Sequence, residues 1–218
     1  MVGKRKKNYF WLIVGLVILA ILSFFFLKIK KGEKPMNEKI KEEKASQAAL
    51  IIAFEGFQDK EYGDTREVLE KAGIKTGVFS SKKGEAQGKM GEMVKIEKTI
   101  EELRVDDYEA IVFIGGPGAL EYLENRTAWR IANEAVEKNK VLAAICIAPE
   151  ILAKAGVLKG KKATVWSSSL DQEEIKALEE AGALYSNENV VIDGKIVTAN
   201  GPMSAKKFAQ EIIKLLGN

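Results

Sequence analysis

The chain has no histidine and one cysteine, Cys146, in 218 residues, and these two scarcities bound its chemistry before any motif is considered. Without imidazole, a Ser-His-Asp triad, a Cys-His dyad and a histidine metal site are excluded, and assembly of identical subunits cannot restore them. A single cysteine rules out an intramolecular disulfide and any CxxC redox or zinc motif, so packing must stabilise the fold. No internal repeat or low-complexity tract is visible, and no acidic cluster has calcium-loop spacing. No basic-aromatic array suggests nucleic acid. What is present, 46% hydrophobic and 30% charged residues, suffices to bury a core in one domain.

The net charge of +3 is unevenly placed. Residues 1–45 hold 11 of the 34 basic and 4 of the 31 acidic side chains, a balance of +7, which leaves −4 for residues 46–218. The basicity therefore belongs to an N-terminal arm, where lysines suit anionic headgroups, and the remainder has no electrostatic case for nucleic acid. After a basic tail over 1–8, Tyr9–Leu27 (YFWLIVGLVILAILSFFFL) runs for nineteen residues without a charge. As a helix it would span about 28 Å at ~1.5 Å per residue, near the hydrocarbon thickness of a bilayer. The spacing predicts a single transmembrane helix, with aromatic residues at both ends and lysines on both flanks. A buried core helix and a cleaved signal peptide are the alternatives; Lys28-Ile29-Lys30-Lys31 stands where a cleavage site would need small residues, so an uncleaved signal anchor is expected. Flanking charges nearly balance, and the expected orientation places the following domain outside the cytoplasm. Residues 28–46 are charged, contain Gly32 and Pro35, and read as a solvated stalk.

From residue 47 onward short apolar runs alternate with amphipathic stretches, the signature of a mostly parallel sheet wrapped by helices. Strands are expected at Ala48–Phe54, Lys75–Ser80, Ala110–Ile114, Val141–Cys146 and Ala163–Trp166. Helices are expected at about Glu61–Ala72, Ala119–Asn139 with a break near Asn125, Ala148–Ala155, Asp171–Ala181 and Ser204–Leu216. Gly73 and Gly182 fit helix C-caps, and Asp193-Gly194 fits the turn of a hairpin over 190–198.

Three segments could carry chemistry. In KVLAAICIAPEIL an apolar strand leads directly into a helix with Pro149 in its first turn, so Cys146 falls at a strand-to-helix corner. Such a corner exposes its side chain at the carboxyl end of the sheet, the adjacent helix N-terminus favours thiolate, and Ala144 and Ala148 permit a nucleophile elbow. An inert buried thiol is the plainer alternative. Second, Gly115-Gly116-Pro117-Gly118 follows another apolar strand and could turn backbone N–H groups toward one point, an oxyanion nest beside the thiol, or be only a tight loop. Third, Glu55-Gly-Phe-Gln58-Asp59-Lys60-Glu61 follows the first strand and either brings polar side chains to the same edge or is only a helix start.

At these residues the sequence resembles the ThiJ/PfpI superfamily, also called the DJ-one family, over essentially all of 47–218. The matching pieces are AALIIAF with FQDKEY, EAIVFIGGPGA, AAICIAPEILAKAGVLKGKKAT and NVVIDGKIVTANGP. The resemblance implies a flavodoxin-like three-layer sandwich of the class I glutamine amidotransferase type, with Cys146 reactive and homo-oligomers common. Family activities include peptidase, glyoxalase and deglycase chemistry as well as chaperone and oxidative-stress roles, and no cofactor is implied. Protease-like members carry histidine directly after the cysteine, where this chain has Ile147, and a further histidine of some members aligns near Trp166. Members usually hold the thiol with a glutamate after the first strand, and alignment on Phe57 and Asp59 puts Gln58 there.

The sequence thus leaves three readings. One is an enzyme acting on small carbonyl compounds or glycated groups, free or on a modified protein. Cys146 would attack, the N–H groups of Gly116 and Ile147 would hold the oxyanion, Gln58 would face the thiol, and Glu61, Asp59 or Glu55 would move protons. The others are a membrane-tethered redox sensor or chaperone-like module without a resolving cysteine, and a structural domain with a vestigial site.

Overall fold

The computed structural model describes residues 47–217. The predicted basic tail, transmembrane helix and stalk lie outside the described residues, within which no helix is long and apolar enough to cross a membrane. The elements, in chain order, begin with β1 Gln47–Ile51, β2 Glu55–Phe57, α1 Asp59–Lys71, β3 Lys75–Ser80, β4 Gly84–Gly88, β5 Met93–Ile96 and β6 Lys98–Thr99. They continue with β7 Ala110–Phe113, α2 Arg126–Glu137, β8 Val141–Ile145, α3 Pro149–Lys154 and β9 Lys162–Ala163. The last are α4 Glu173–Glu180, β10 Leu184–Tyr185, β11 Val190–Asp193, β12 Ile196–Ala199 and α5 Ala205–Leu216.

Seven strands form one sheet in the order β11-β12-β8-β7-β1-β3-β6, parallel throughout except for β11. The apolar runs of β1, β7 and β8 are buried on both faces, so their sequences lack polar alternation. Ala48, Leu50, Val112, Ala143 and Ile145 pack beneath α1 and α5 through Tyr62, Leu69, Phe208 and Ile212. Residues one step along, Ala49, Ile51, Ile111, Phe113 and Leu142, face Ile131, Ala135, Ile151 and Leu178 of the helices on the other side. The result is the expected three-layer sandwich of flavodoxin-like form, and it brings the carboxyl ends of β1, β7 and β8 together on one edge.

Local chemistry explains the element ends. Gly73 and Gly182 have φ of +80° and +83° just beyond α1 and α4, as C-cap glycines require. The predicted helix over 119–139 divides at Asn125, whose side-chain oxygen accepts from the N–H groups of Thr127 and Ala128 and caps α2.

Several expectations need correction. The strand expected at Ala163–Trp166 contributes only Lys162–Ala163, paired with β10 in a separate two-stranded sheet. Beyond it the Thr164 N–H donates to Thr198 Oγ1 and the Trp166 N–H to the Cys146 carbonyl, so these groups find partners outside a ladder. The expected first and fourth strands end early, at Ile51 and Ile145. A small sheet of β2, β4 and β5 is an addition to the expected elements: GEAQG has alanine as its one apolar side chain, and MVKI, though apolar at three positions, is only four residues long.

Candidate functional site

Cys146 sits immediately after β8 with φ of +65°, a left-handed conformation uncommon for a residue with a side chain. Its N–H donates to the Ala199 carbonyl at 2.8 Å and its carbonyl accepts from Trp166, so both peptide groups of the strained corner are fixed. The corner requires glycine opposite. A Cβ on Gly115 would stand 2.5 Å from the Cys146 Cβ and 2.6 Å from the Ile145 carbonyl oxygen. Gly116, at φ +106°, has the Gln58 nitrogen and the Gly56 carbonyl oxygen both 2.5 Å from its own Cβ position. The glycine run therefore allows the backbone after β7 to press against both the thiol and the segment after β1.

Glu61 lies in the first turn of α1 and is fully buried. Its Oε2 accepts the Gly115 N–H at 3.1 Å, while Oε1 has no protein partner at ordinary hydrogen-bond geometry. The Cys146 thiol is the other polar group against this carboxyl, close enough to act on its titration. Burial raises the Glu61 carboxyl to about 7, against the opposing pull of the thiol, the Gly115 N–H and the distant Lys89 charge. Burial likewise pushes the Cys146 thiol up to about 12; the Glu61 charge and hydrogen bond add to the rise, and the N–H groups of Gly116 and Ile147 oppose it. This corrects the expectation of a thiol acidified by the helix behind it. The helix α3 has six residues, and loss of water around the sulfur outweighs its N-terminus. The two groups behave as a pair in which a proton on Glu61 stabilises a thiolate and a charge on Glu61 opposes one.

Gln58 does not occupy the carboxyl position beside the thiol; Glu61 does. Gln58 caps α1, its Oε1 accepting from Lys60 N–H at 2.7 Å and Glu61 N–H at 3.3 Å. Alignment on Phe57 and Asp59 misses the first turn of α1, which carries Glu61 inward three positions after the cap. Gln58 still borders the cavity over Cys146. Asp59 is turned elsewhere: its two oxygens accept the Met90 and Glu92 N–H groups, each at 2.8 Å, and tie down the β4–β5 loop. Glu55 is exposed on β2. Gly116 and Ile147 border the cavity, and their N–H groups face the sulfur.

That cavity measures about 250 Å³ and is also lined by Lys89, Pro117, Trp166, Glu174 and Pro202. Lys89 and Glu174 carried no sequence signal, since each comes from a loop or helix brought in by tertiary packing, whereas Pro202 closes the matched piece NVVIDGKIVTANGP. A larger groove of about 540 Å³ lies at the β3 edge between Tyr62, Arg66 and Tyr108, away from Cys146. Among the described residues no group of three or more acidic or cysteine side chains could hold a metal ion.

A parallel α/β sandwich with a strained cysteine corner, a glycine nest and a buried carboxyl at the ends of its central strands defines an elbow-cysteine protein of flavodoxin-like fold. The DJ-1/PfpI family profile matches residues 47–215. An uncharacterized protein of Methanocaldococcus jannaschii is 42% identical over 181 residues, covering 83% of this chain and 87% of that protein. Deglycase PfpI of Pyrococcus furiosus is 32% identical over 167 residues, 77% of this chain and 98% of the relative. A ThiJ/PfpI domain protein from Brachyspira murdochii superposes with a TM-score of 0.74 at 31% identity, covering 78% of this chain and 96% of that one. The chain belongs to the DJ-1/PfpI family.

Proposed function

We propose that the domain is a cysteine-dependent enzyme that converts carbonyl compounds or removes carbonyl adducts, the type of activity for which the relatives from Pyrococcus furiosus and Thermococcus kodakarensis are named deglycases. The observation that carries this reading is the Glu61 carboxyl buried against Cys146, with the Gly116 and Ile147 N–H groups on the sulfur. Transfer of the thiol proton to the Glu61 carboxylate generates the thiolate, which the Gly116 and Ile147 N–H groups and the new Glu61 O–H then support. The sulfur adds to an aldehyde carbon, the carbonyl electron pair moves to oxygen, and that oxygen takes a proton from Glu61. With a 2-oxoaldehyde, the Glu61 carboxylate then moves the proton from the sulfur-bearing carbon to its neighbour through an enediol. The resulting thioester is hydrolysed, so aldehyde plus water becomes a 2-hydroxy acid without an external oxidant. No imidazole is needed, because a carboxyl near 7 can both give and accept the proton at neutral pH. Lactate formation from methylglyoxal by the wild-type protein, lost in Cys146→Ser and reduced at least a hundredfold in Glu61→Gln, is the expected result. Undiminished turnover in Cys146→Ser would refute it.

The apolar length, aromatic ends and lysine flanks of Tyr9–Leu27 support a companion proposal, a single-pass anchor spaced from the domain by residues 28–46; the extracytoplasmic side is proposed because long domains translocate largely regardless of their charge. Retention in the membrane pellet after alkaline carbonate, with the domain open to protease added outside sealed cells, tests it. Release by carbonate overturns the anchor, and protection from protease overturns the orientation.

A further inference from the structure

The chain has nine asparagines, and Asn125 alone is followed at the second position by serine or threonine without an intervening proline, in Asn125-Arg126-Thr127. That spacing is the acceptor signal for an N-linked glycan, and it has meaning on a domain exported from the cytoplasm. A three-residue motif recurs by chance, so the weight falls on how this one is built.

Asn125 occupies the connection between the turn over Pro117–Tyr122 and α2, half-buried between exposed Glu124 and Arg126. Because α2 runs back from the end of β7 to the start of β8, this connection lies at the carboxyl edge of the sheet and on the surface. The Asn125 Oδ1 accepts the Thr127 N–H at 2.9 Å and the Ala128 N–H at 3.0 Å. Two N–H groups need an acceptor, which fixes the amide oxygen toward the helix and turns Nδ2 away from it. Nδ2 has no hydrogen-bond partner among the described residues, yet it is not buried away from solvent.

The fold therefore uses the oxygen of Asn125 and the backbone of Thr127, while the signal consists of the nitrogen of one and the hydroxyl of the other. The Thr127 hydroxyl takes part in no hydrogen bond among the described residues, since the cap engages its N–H. Serine or aspartate would cap α2 equally well, and capping places no demand on the side chain two residues later. A substituent on Nδ2 leaves Oδ1 free to accept, so attachment is compatible with the capped helix.

We propose that Asn125 is an N-glycosylation site, its acceptor atom Nδ2. This inference rests on the extracytoplasmic orientation proposed above and is independent of the reaction at Cys146. In the transfer, Nδ2 forms a bond to the anomeric carbon of a sugar carried as a lipid-linked glycosyl phosphate. The sugar–phosphate bond breaks, the lipid phosphate leaves with the bonding pair, and the amide gives up one proton. The alternative is that asparagine stands here as a helix cap alone.

The test uses full-length protein recovered from the membranes of its source cells. Peptide mapping by mass should find the segment spanning Asn125 heavier by at least one sugar residue. Thr127→Ala and Asn125→Asp should each abolish that mass, and Thr127→Ser should keep it. Asn125→Asp retains a side-chain acceptor and Thr127→Ala retains the backbone donor, so all three variants should fold, and melting temperatures close to wild type confirm it. An unmodified Asn125 in a domain open to protease outside sealed cells overturns the glycan site and leaves the orientation standing. An unmodified Asn125 in a domain protected from protease overturns both. A sugar mass that persists in Thr127→Ala and Asn125→Asp lies elsewhere on the chain and overturns the assignment to Asn125.

Discussion

Glu61→Gln should make the protein more stable at alkaline pH while impairing its chemistry. Raising a buried carboxyl from its ordinary 4.5 to about 7 corresponds to about 3 kcal/mol, at roughly 1.4 kcal/mol per pH unit. Because the folded chain binds this proton more tightly than the unfolded chain, the cost is absent below about pH 4.5. It grows as pH rises to about 7 and is complete above that value. The amide keeps an oxygen to accept the Gly115 N–H and cannot ionise, so it escapes the cost. At pH 8 the variant should therefore exceed wild type by up to about 3 kcal/mol, and melt roughly 6–12 °C higher for a domain of this size. Near pH 4.5 the two should agree within about 0.5 kcal/mol. Glu150 is also raised to about 7, chiefly by burial, and adds to the wild-type slope. The difference between variant and wild type isolates Glu61 because Glu150 is common to both. Urea unfolding across pH 4.5–8, followed by tryptophan fluorescence, measures it. A variant less stable than wild type at pH 8, or a difference that does not change with pH, would refute the assignment of Glu61 as a desolvated acid.

Three further substitutions probe the elbow and its frame. Gly115→Ala places a methyl 2.5 Å from the Cys146 Cβ and 2.6 Å from the Ile145 carbonyl oxygen; a loss of about 3 kcal/mol is expected in urea unfolding. At Cys146, φ of +65° reverses the usual ranking of small residues, so Cys146→Gly should be about 1 kcal/mol more stable than Cys146→Ala by thermal melting. Asp59→Ala removes the acceptor for the Met90 and Glu92 N–H groups. It should cost about 2 kcal/mol and speed amide exchange at those two residues, with the reactivity of Cys146 little altered.

The parallel core was legible because β1, β7 and β8 are short apolar runs between capped helices, and the nucleophile corner because Cys146 follows such a run and Pro149 opens the next helix. The β2-β4-β5 sheet was not, since Gly84–Gly88 is held by pairing and by the Gln87 N–H bond to the Phe54 carbonyl, not by its own propensity. The acid beside the thiol was misplaced by one helical turn. Alignment on Phe57 and Asp59 puts Gln58 beside the thiol, but Gln58 is the N-cap, and a helix that starts at Asp59 rather than near Glu61 carries Glu61 inward instead. Thiol acidity was misjudged for a different reason: sequence shows a helix N-terminus, but only packing shows how far water is excluded from the sulfur.

These two corrections bear on the absence of histidine. A cysteine acidified by its helix alone would need only a proton acceptor, and Gln58 could not have been one. A cysteine raised by burial needs a neighbour that can carry its proton, and Glu61 meets that need because the same burial that raises the thiol brings the carboxyl to about 7. Imidazole ordinarily supplies proton exchange near neutral pH because its free value already lies there. Here a carboxylic acid reaches that range through desolvation, so the missing residue type excludes the Cys-His dyad without excluding general acid–base chemistry at Cys146. The two sides of this argument are separable: Glu61→Asp, which withdraws the carboxyl by one methylene, should lower turnover while leaving a pH-dependent stability, whereas Glu61→Gln removes both.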